Sequence, residues 1–187
     1  MPLVEQAKHF DHSVDLTARL TLEAQEQSWP LDKPFRIARG SRTEARVIVV
    51  SVSNGEHTGR GEAVPISRYG QSIASTLAQI ESVKGAKGLD RHHLQALLAG
   101  GAARNALDCA FWDLESKISG KRAWELINID MLPVVETALT IGLDTPDAMA
   151  AASANATALI LKVKLGGDAL DLSRVEAVRK AAPATRL

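Results

Sequence analysis

The chain has almost no cysteine, no net charge and no long apolar run. A single thiol, Cys109, in 187 residues leaves no internal disulfide and no cysteine-cluster metal site. It fits a reducing compartment. Lys+Arg and Asp+Glu both number 22, so the formal net charge is zero. No bulk electrostatic pull toward nucleic acid or an anionic membrane is therefore expected. No stretch approaches the ~20 apolar residues of a membrane helix. The N-terminal MPLVEQAKHFDHSVDL has no apolar segment flanked by positive charge, so no secretory signal is expected. These absences lead us to expect a cytoplasmic protein with neither nucleic acid nor membrane as partner. What is present is ordinary for a globular domain, 45% hydrophobic and 24% charged. The length suffices to bury a core without covalent staples.

Val14, Leu16, Ala18, Leu20 and Leu22 alternate with polar residues, which predicts a strand over Val14–Leu22 with one buried face. A loop carrying Trp29, Pro30 and Pro34 is expected next. Ala45–Val52 is rich in Val and Ile, and Asn54-Gly55 then separates it from a run around Gly59–Val64, a hairpin signal. The first ~65 residues thus read as a small antiparallel sheet. Helices are predicted over Ser72–Val83, over Asp90–Leu98 with Asp90 as N-cap, and over Ala102–Ile118. In the last, Ala103, Leu107, Ala110, Phe111, Leu114 and Ile118 form one apolar stripe, and Gly120 is placed to end it. Trp124, Leu126 and Ile127 suggest a short further helix. Sheet first and helices after is the pattern of an α+β domain, here spanning residues 1–133.

After Pro133 the pattern changes. Thr137–Leu143 is a short apolar run, and Thr145-Pro146 opens a helix to about Asn155, with Thr145 as N-cap and Pro146 at the first helical position. Ala158–Leu165 reads as a second strand, broken by Gly166-Gly167-Asp168, and Leu170–Ala181 as a second helix. Strand, helix, strand, helix with short links over residues 134–187 implies parallel β/α units. A third strand is due at Thr185-Arg186-Leu187. A barrel takes eight strands and about 250 residues, so the expectation is a truncated copy of something longer.

The residues with most chemical content are Lys162 and Lys164 in Leu161-Lys-Val-Lys-Leu165. Positions i and i+2 of a strand share a face. Leu161, Val163 and Leu165 then pack under helices while both lysines occupy the other face, near the strand's C-terminal end. That is the end at which barrel active sites are built. Two ammonium groups side by side disfavour each other's protonation, which suits one of them to act as a base near neutral pH. The bland alternative is a solvated surface pair. Arg36, Arg39 and Arg42 cluster in what reads as a loop before a strand, and clamp a carboxylate or form a solvated basic loop. Ser67–Ser72 holds the only tyrosine, Tyr69, in a lid or a simple turn. Adjacent His92 and His93 read as surface. Cys109 reads as core. Asp108, Asp113 and Glu115 read as the polar side of their helix or as structural hydrogen-bond partners. Gly166-Gly167 lacks the Lys-Ser/Thr ending of a phosphate loop.

The chain resembles the enolase superfamily, specifically the dipeptide epimerases of the L-Ala-D/L-Glu type. The resemblance rests on Pro34-Phe35, Ile37-Ala-Arg-Gly-Ser-Arg42, Arg68-Tyr-Gly70, Gly101-Ala-Ala-Arg-Asn-Ala-Leu-Asp-Cys-Ala110, Trp112-Asp-Leu114 and Leu161-Lys-Val-Lys-Leu165, in that order along nearly the whole chain. It implies an α+β capping domain followed by the first strands and helices of an incomplete (β/α) barrel. It implies specificity loops at roughly 29–43 and 63–72. Lys164 is implied as the acid/base at the substrate α-carbon, Lys162 as its neighbour near the substrate carboxylate, and Thr140, Arg39 and Tyr69 as substrate contacts. The implied reaction is a Mg2+-assisted 1,1-proton transfer on a dipeptide, a small-molecule substrate. Self-association into a homo-oligomer is expected of the full-length protein alone. The family's metal carboxylates come from the third to fifth barrel strands and the opposing lysine from the sixth, so no metal ligand is assigned among these residues. Gln71 stands where close relatives usually carry Glu, and Ala63 where Cys is common. The alternatives are another superfamily reaction, muconate cycloisomerisation or N-acylamino acid racemisation, or a catalytically inactive fragment.

Overall fold

The computed structural model describes residues 20–37 and 40–187. Val14–Arg19 of the first expected strand lie outside them. The chain divides into two compact units, one holding the described residues to Trp29 with Arg46–Leu132, the other Pro30–Ala45 with Pro133–Leu187.

The first unit is built on a sheet of β1 (Thr21–Ile37), β2 (Gly40–Ser53) and β3 (Thr58–Ala63), ordered β1-β2-β3. β2 and β3 run antiparallel from Ile48 opposite Ala63 to Ser53 opposite Thr58. The turn between them closes because the Asn54 side-chain oxygen accepts from the amides of Glu56 (3.1 Å) and His57 (2.7 Å), with Gly55 at φ 96°. Period-two patterning works as expected: Ile48, Val50, Val52 and Ala63 are buried.

Four helices follow, and their ends obey local chemistry. α1 (Ile73–Ser82) starts at Ser72, whose side chain accepts from the Ser75 amide while the Ser75 hydroxyl accepts from the Ser72 amide, both at 3.0 Å. α2 (Arg91–Leu97) starts at Asp90, which accepts from the His93 amide at 2.6 Å. α3 (Ala102–Ser119) ends at Gly120 in the left-handed region, φ 66°. α4 is the short Ala123–Leu126.

β3 lies directly on α3. A Cβ built on Gly59 would stand 2.0 Å from the Ala110 carbonyl oxygen, and one on Gly61 would stand 2.0 Å from that of Ala106. Only glycine admits this approach. β3 is also an edge strand, and its outward backbone groups are taken up by side chains of α3. Asp113 accepts from the Arg60 amide (2.7 Å), Lys117 donates to the Thr58 carbonyl (2.7 Å) and Asn105 donates to that of Glu62 (3.2 Å). Asp113 and Glu115 are thus hydrogen-bond partners as expected. Glu115, 5% exposed, accepts a bifurcated bond from the Arg91 Nε at 2.9 and 3.1 Å. The same guanidinium lies 3.9 Å over Trp112.

Two readings of residues 1–133 need correction. Cys109 is exposed rather than core. It falls at the four-residue step between Asn105 and Asp113, on the stripe that runs along β3, not on the apolar stripe of Ala106, Leu107 and Ala110. The segment around Trp29, Pro30 and Pro34 is not a loop but the body of β1, and the loop expected to hold Arg36 and Arg42 is the two arms of the β1–β2 hairpin. β1 has a single neighbour. Proline, which lacks an amide donor, is tolerated on such an edge.

In the second unit β4 (Ala138–Ile141) and β5 (Ile160–Val163) pair in parallel, and α5 (Pro146–Ala154) and α6 (Asp171–Ala181) accompany them. Thr145 caps α5 by accepting from the Ala148 amide. Ile141, Met149, Leu161, Val178 and Ala182 form its core. Leu165, expected on the packed face, lies beyond the end of β5 and is 46% exposed. Arg186 makes a parallel bridge with Ile160, where a third strand was expected. The Leu161 amide donates to its carbonyl at 2.8 Å, and its guanidinium pairs with Glu136.

Gly61→Ala is expected to lower the unfolding free energy by about 3 kcal/mol, the upper end for forcing atoms into a packed site. Urea denaturation followed by tryptophan fluorescence checks this, and an unchanged midpoint would contradict the close approach of β3 to α3.

Candidate active site

The register of the parallel pair assembles the site. Thr140 stands opposite Lys162, and Ile141 opposite Val163. In-register neighbours share a face, so Thr140 and Lys162 project together, with Lys164 two positions on. Leu161 and Ile141, on the other face, are buried. The Lys164 amide donates to the Ile141 carbonyl at 3.0 Å, fixing its backbone just past the strand end. Thr140 and Lys162 are exposed and Lys164 half-buried. The two lysine Cα atoms are ~6.6 Å apart by strand geometry. Among the described residues neither ammonium makes an ion pair. The face therefore presents concentrated positive charge suited to a carboxylate.

The other expected site residues are more scattered. Arg39 lies outside the described residues. Tyr69 belongs to the first unit, on a 3-10 turn over Ser67–Tyr69 that Gly70 ends at φ 70°, and it is 69% exposed. Arg36 pairs with Asp144 at 3.7 Å, and the Arg42 guanidinium lies 5.3 Å over the Phe35 ring. Two of the three clustered arginines thus already have partners in their own unit.

Sequence reasoning missed the cluster beside the lysines. Arg174, 6% exposed, donates through Nη1 to Asp168 (2.6 Å) and Asp171 (2.8 Å) and through Nε to the Asp144 carbonyl (2.9 Å). Asp171 accepts in turn from the amides of Gly166 (2.8 Å) and Gly167 (2.7 Å). A Cβ on Gly166 would come within 2.8 Å of Asp168 and 3.1 Å of Arg174. The Gly-Gly pair is thus a turn wrapped around an ion cluster. The signal available was Asp171 three residues before Arg174 on one helix face, immediately after that turn.

The Arg174 hydrogen bond, helped by the Leu170 amide, holds the Asp168 carboxyl below the ordinary aspartate value. The Gly166 and Gly167 amides and then Arg174 do the same for Asp171. Arg174 is raised in return, first by Asp168. Partial burial, with the charge of Asp108, pushes the Cys109 thiol up. Among the described residues no group of three His, Cys, Asp or Glu could hold a metal ion, so the residues present do not make a Mg2+ site. Among them, too, no helix is long and apolar enough to cross a membrane. A concavity of about 900 Å³ lies on the outer face of the three-stranded sheet, lined by Gln25, Gln27, Trp29, Ser51 and Arg60 among others. It belongs to the first unit and includes neither lysine.

Residues 19–128 match the model of the mandelate racemase/muconate lactonizing enzyme N-terminal domain. The chain belongs to that family, and the matched residues make up its α+β capping domain. The chain is 46% identical over 168 residues to an L-Ala-D/L-Glu epimerase of Escherichia coli K12, covering 87% of this chain and 52% of that protein. An enolase family member from Agrobacterium tumefaciens, solved with sodium and L-Ala-L-Glu, superposes with TM-score 0.81 at 46% identity, over 89% of this chain and 52% of that one. A dipeptide epimerase from Cytophaga hutchinsonii, solved with Mg and D-Ala-L-Val, superposes with TM-score 0.74 at 26% identity, over 86% and 48%. The chain spans about half the length of the relatives it matches.

A folded-state pKa below its unfolded value contributes stability above the unfolded value, and that stability is lost as pH falls through the folded one. The Gly166–Asp171 turn is therefore expected to stay closed from neutral pH past the ordinary aspartate titration at about 3.9 and to open only in stronger acid. Amide proton shifts of Gly166 and Gly167 against pH check this, and a midpoint at or above that value would contradict it.

Proposed function

We propose that the protein carrying this chain is a dipeptide epimerase of the L-Ala-D/L-Glu type, inverting the α-carbon next to a dipeptide carboxylate. The observation that carries the reading is the register that sets Thr140 opposite Lys162 near the C-terminal ends of two paired parallel strands, with Lys164 just past the second. The relatives solved with dipeptides support it. Residues 1–133 serve as capping domain and 134–187 as the opening of a (β/α) barrel. The contact division at Leu132/Pro133 supports this boundary, although Pro30–Ala45 clusters with the second part.

In this reading the Lys164 amine takes the α-proton and its ammonium form delivers one in the reverse direction, on one face of the α-carbon. The Lys162 ammonium sits by the substrate carboxylate, stabilising the charge that moves onto it as the proton leaves. Thr140 contacts the substrate, with Arg39 and Tyr69 as further contacts. The Mg2+ of this chemistry has to be held by carboxylates other than the described ones, and inversion needs a second acid/base on the opposite face. The single cysteine suits a cytoplasmic setting.

The whole gene product is expected to wash deuterium from D2O into the α-carbon of L-Ala-L-Glu in the presence of Mg2+. Lys164→Ala should abolish exchange on one face, a loss on the order of 10²-fold or more. Unchanged exchange on both faces would end the assignment of Lys164. A substrate panel with an N-acylamino acid and a muconate separates the dipeptide reading from the other reactions of the family.

A further inference from the structure

The Arg174 cluster stands beside the lysines but takes no part in the chemistry above. Its guanidinium reaches two different loops. Through Nε it holds the Asp144 carbonyl, in the loop that leaves β4 three residues after Ile141. Through Nη1 it holds Asp168 and Asp171, at the loop that leaves β5. Asp171 then grips the Gly166 amide, two residues beyond Lys164. A continuous path of hydrogen bonds therefore runs from the backbone after Lys164 to the backbone after Thr140 through one buried cation. The Asp144 side chain, paired with Arg36, extends it to β1.

Net stability is a poor reason for such an arrangement, because desolvating a cation and its partners largely offsets their attraction and apolar packing would serve as well. Its distinguishing product is geometry. A planar guanidinium fixes the relative placement of three acceptors, which a lysine on a flexible stem does not. We propose that Arg174 is a positioning residue for the proton transfer: by clamping the two loops that follow the paired strands it holds the backbone beyond Lys164, and with it the direction in which Lys164 is presented relative to Thr140 and Lys162. This rests on the epimerase reading. Gly166-Gly167 belongs to the same device, since Gly166 leaves no room for a Cβ beside Asp168 and Arg174, and Gly167 takes φ 77°.

The test uses the whole gene product with Arg174→Gln and Arg174→Lys, each assayed with L-Ala-L-Glu well below its melting temperature, with Lys164→Ala alongside. Small misplacement of reacting groups depresses turnover steeply. Both Arg174 variants are expected to lose on the order of 10- to 100-fold in kcat with KM within about threefold of wild type, and lysine should not rescue. Faster amide hydrogen exchange at Gly166 and Gly167 should accompany the loss. If Lys164→Ala leaves exchange intact on both faces, the catalytic reading fails, whatever Arg174 does. If Lys164→Ala abolishes one-face exchange while Arg174→Lys turns over like wild type, or Arg174→Gln lowers only the melting temperature, the positioning role is overturned. Should Arg174→Gln fail to fold, Asp168→Asn removes one half-exposed arm of the clamp. It is then expected to show the same kcat-only loss in weaker form, and an unchanged kcat would count against the proposal.

Discussion

Two missing side chains decide how the first unit is put together. Gly59 and Gly61 let the β3 backbone come down onto the Ala106 and Ala110 turns of α3, and the rest of the unit is arranged around that contact. Because β3 is pressed so close, Asn105, Asp113 and Lys117 can reach its open edge and satisfy groups that would otherwise invite another strand. Because α3 is held in this register, its other side offers Glu115 to Arg91, tying α2 down, while Phe111 and Leu114 fill the space under the sheet. Substitutions at the two glycines would thus be felt as a shift of the helix on which the other helices are assembled, not as a local bump.

The second unit is organised differently. Its apolar core is small, centred on Ile141, Leu161, Met149 and Val178. Polar chemistry does the fixing: an arginine spans two loops, an aspartate holds a glycine turn, and Arg186 extends the hydrogen bonding of β5. The strand register then needs only four paired positions to put Thr140 and Lys162 side by side. The apolar face of the strands supplies adhesion, and the loops at their ends supply accuracy.

Features whose causes are local in sequence were legible. Asp90 and Thr145 start helices by accepting from an amide three residues on, and Gly120 ends one through its left-handed backbone, where the residue types place them. The alternation in Leu161–Leu165 holds through Val163, where β5 ends, and Leu165 beyond it is exposed. What could not be read depends on partners far along the chain. Pro30 and Pro34 look like loop residues until β1 is known to be an edge. Cys109 looks like core until Asn105 and Asp113, one turn to either side, are seen to reach the open edge of β3. The Arg174 clamp gathers groups from two loops and a helix, so no window of sequence contains it. Arg39 lies outside the described residues and Tyr69 stands in the other unit, so of the expected site residues only Thr140, Lys162 and Lys164 can be placed together, at the β4–β5 pair.

The exposed thiol on α3 has a practical consequence. As the sole cysteine it can be tagged with a maleimide dye or a nitroxide without first engineering the chain. A probe there sits on the stripe that grips β3, at the seam between helix and sheet. Because the thiol is held above its ordinary titration range, labelling goes slowly at neutral pH and faster in mild base. The capping domain thus carries a single handle whose reaction is turned up by raising the pH.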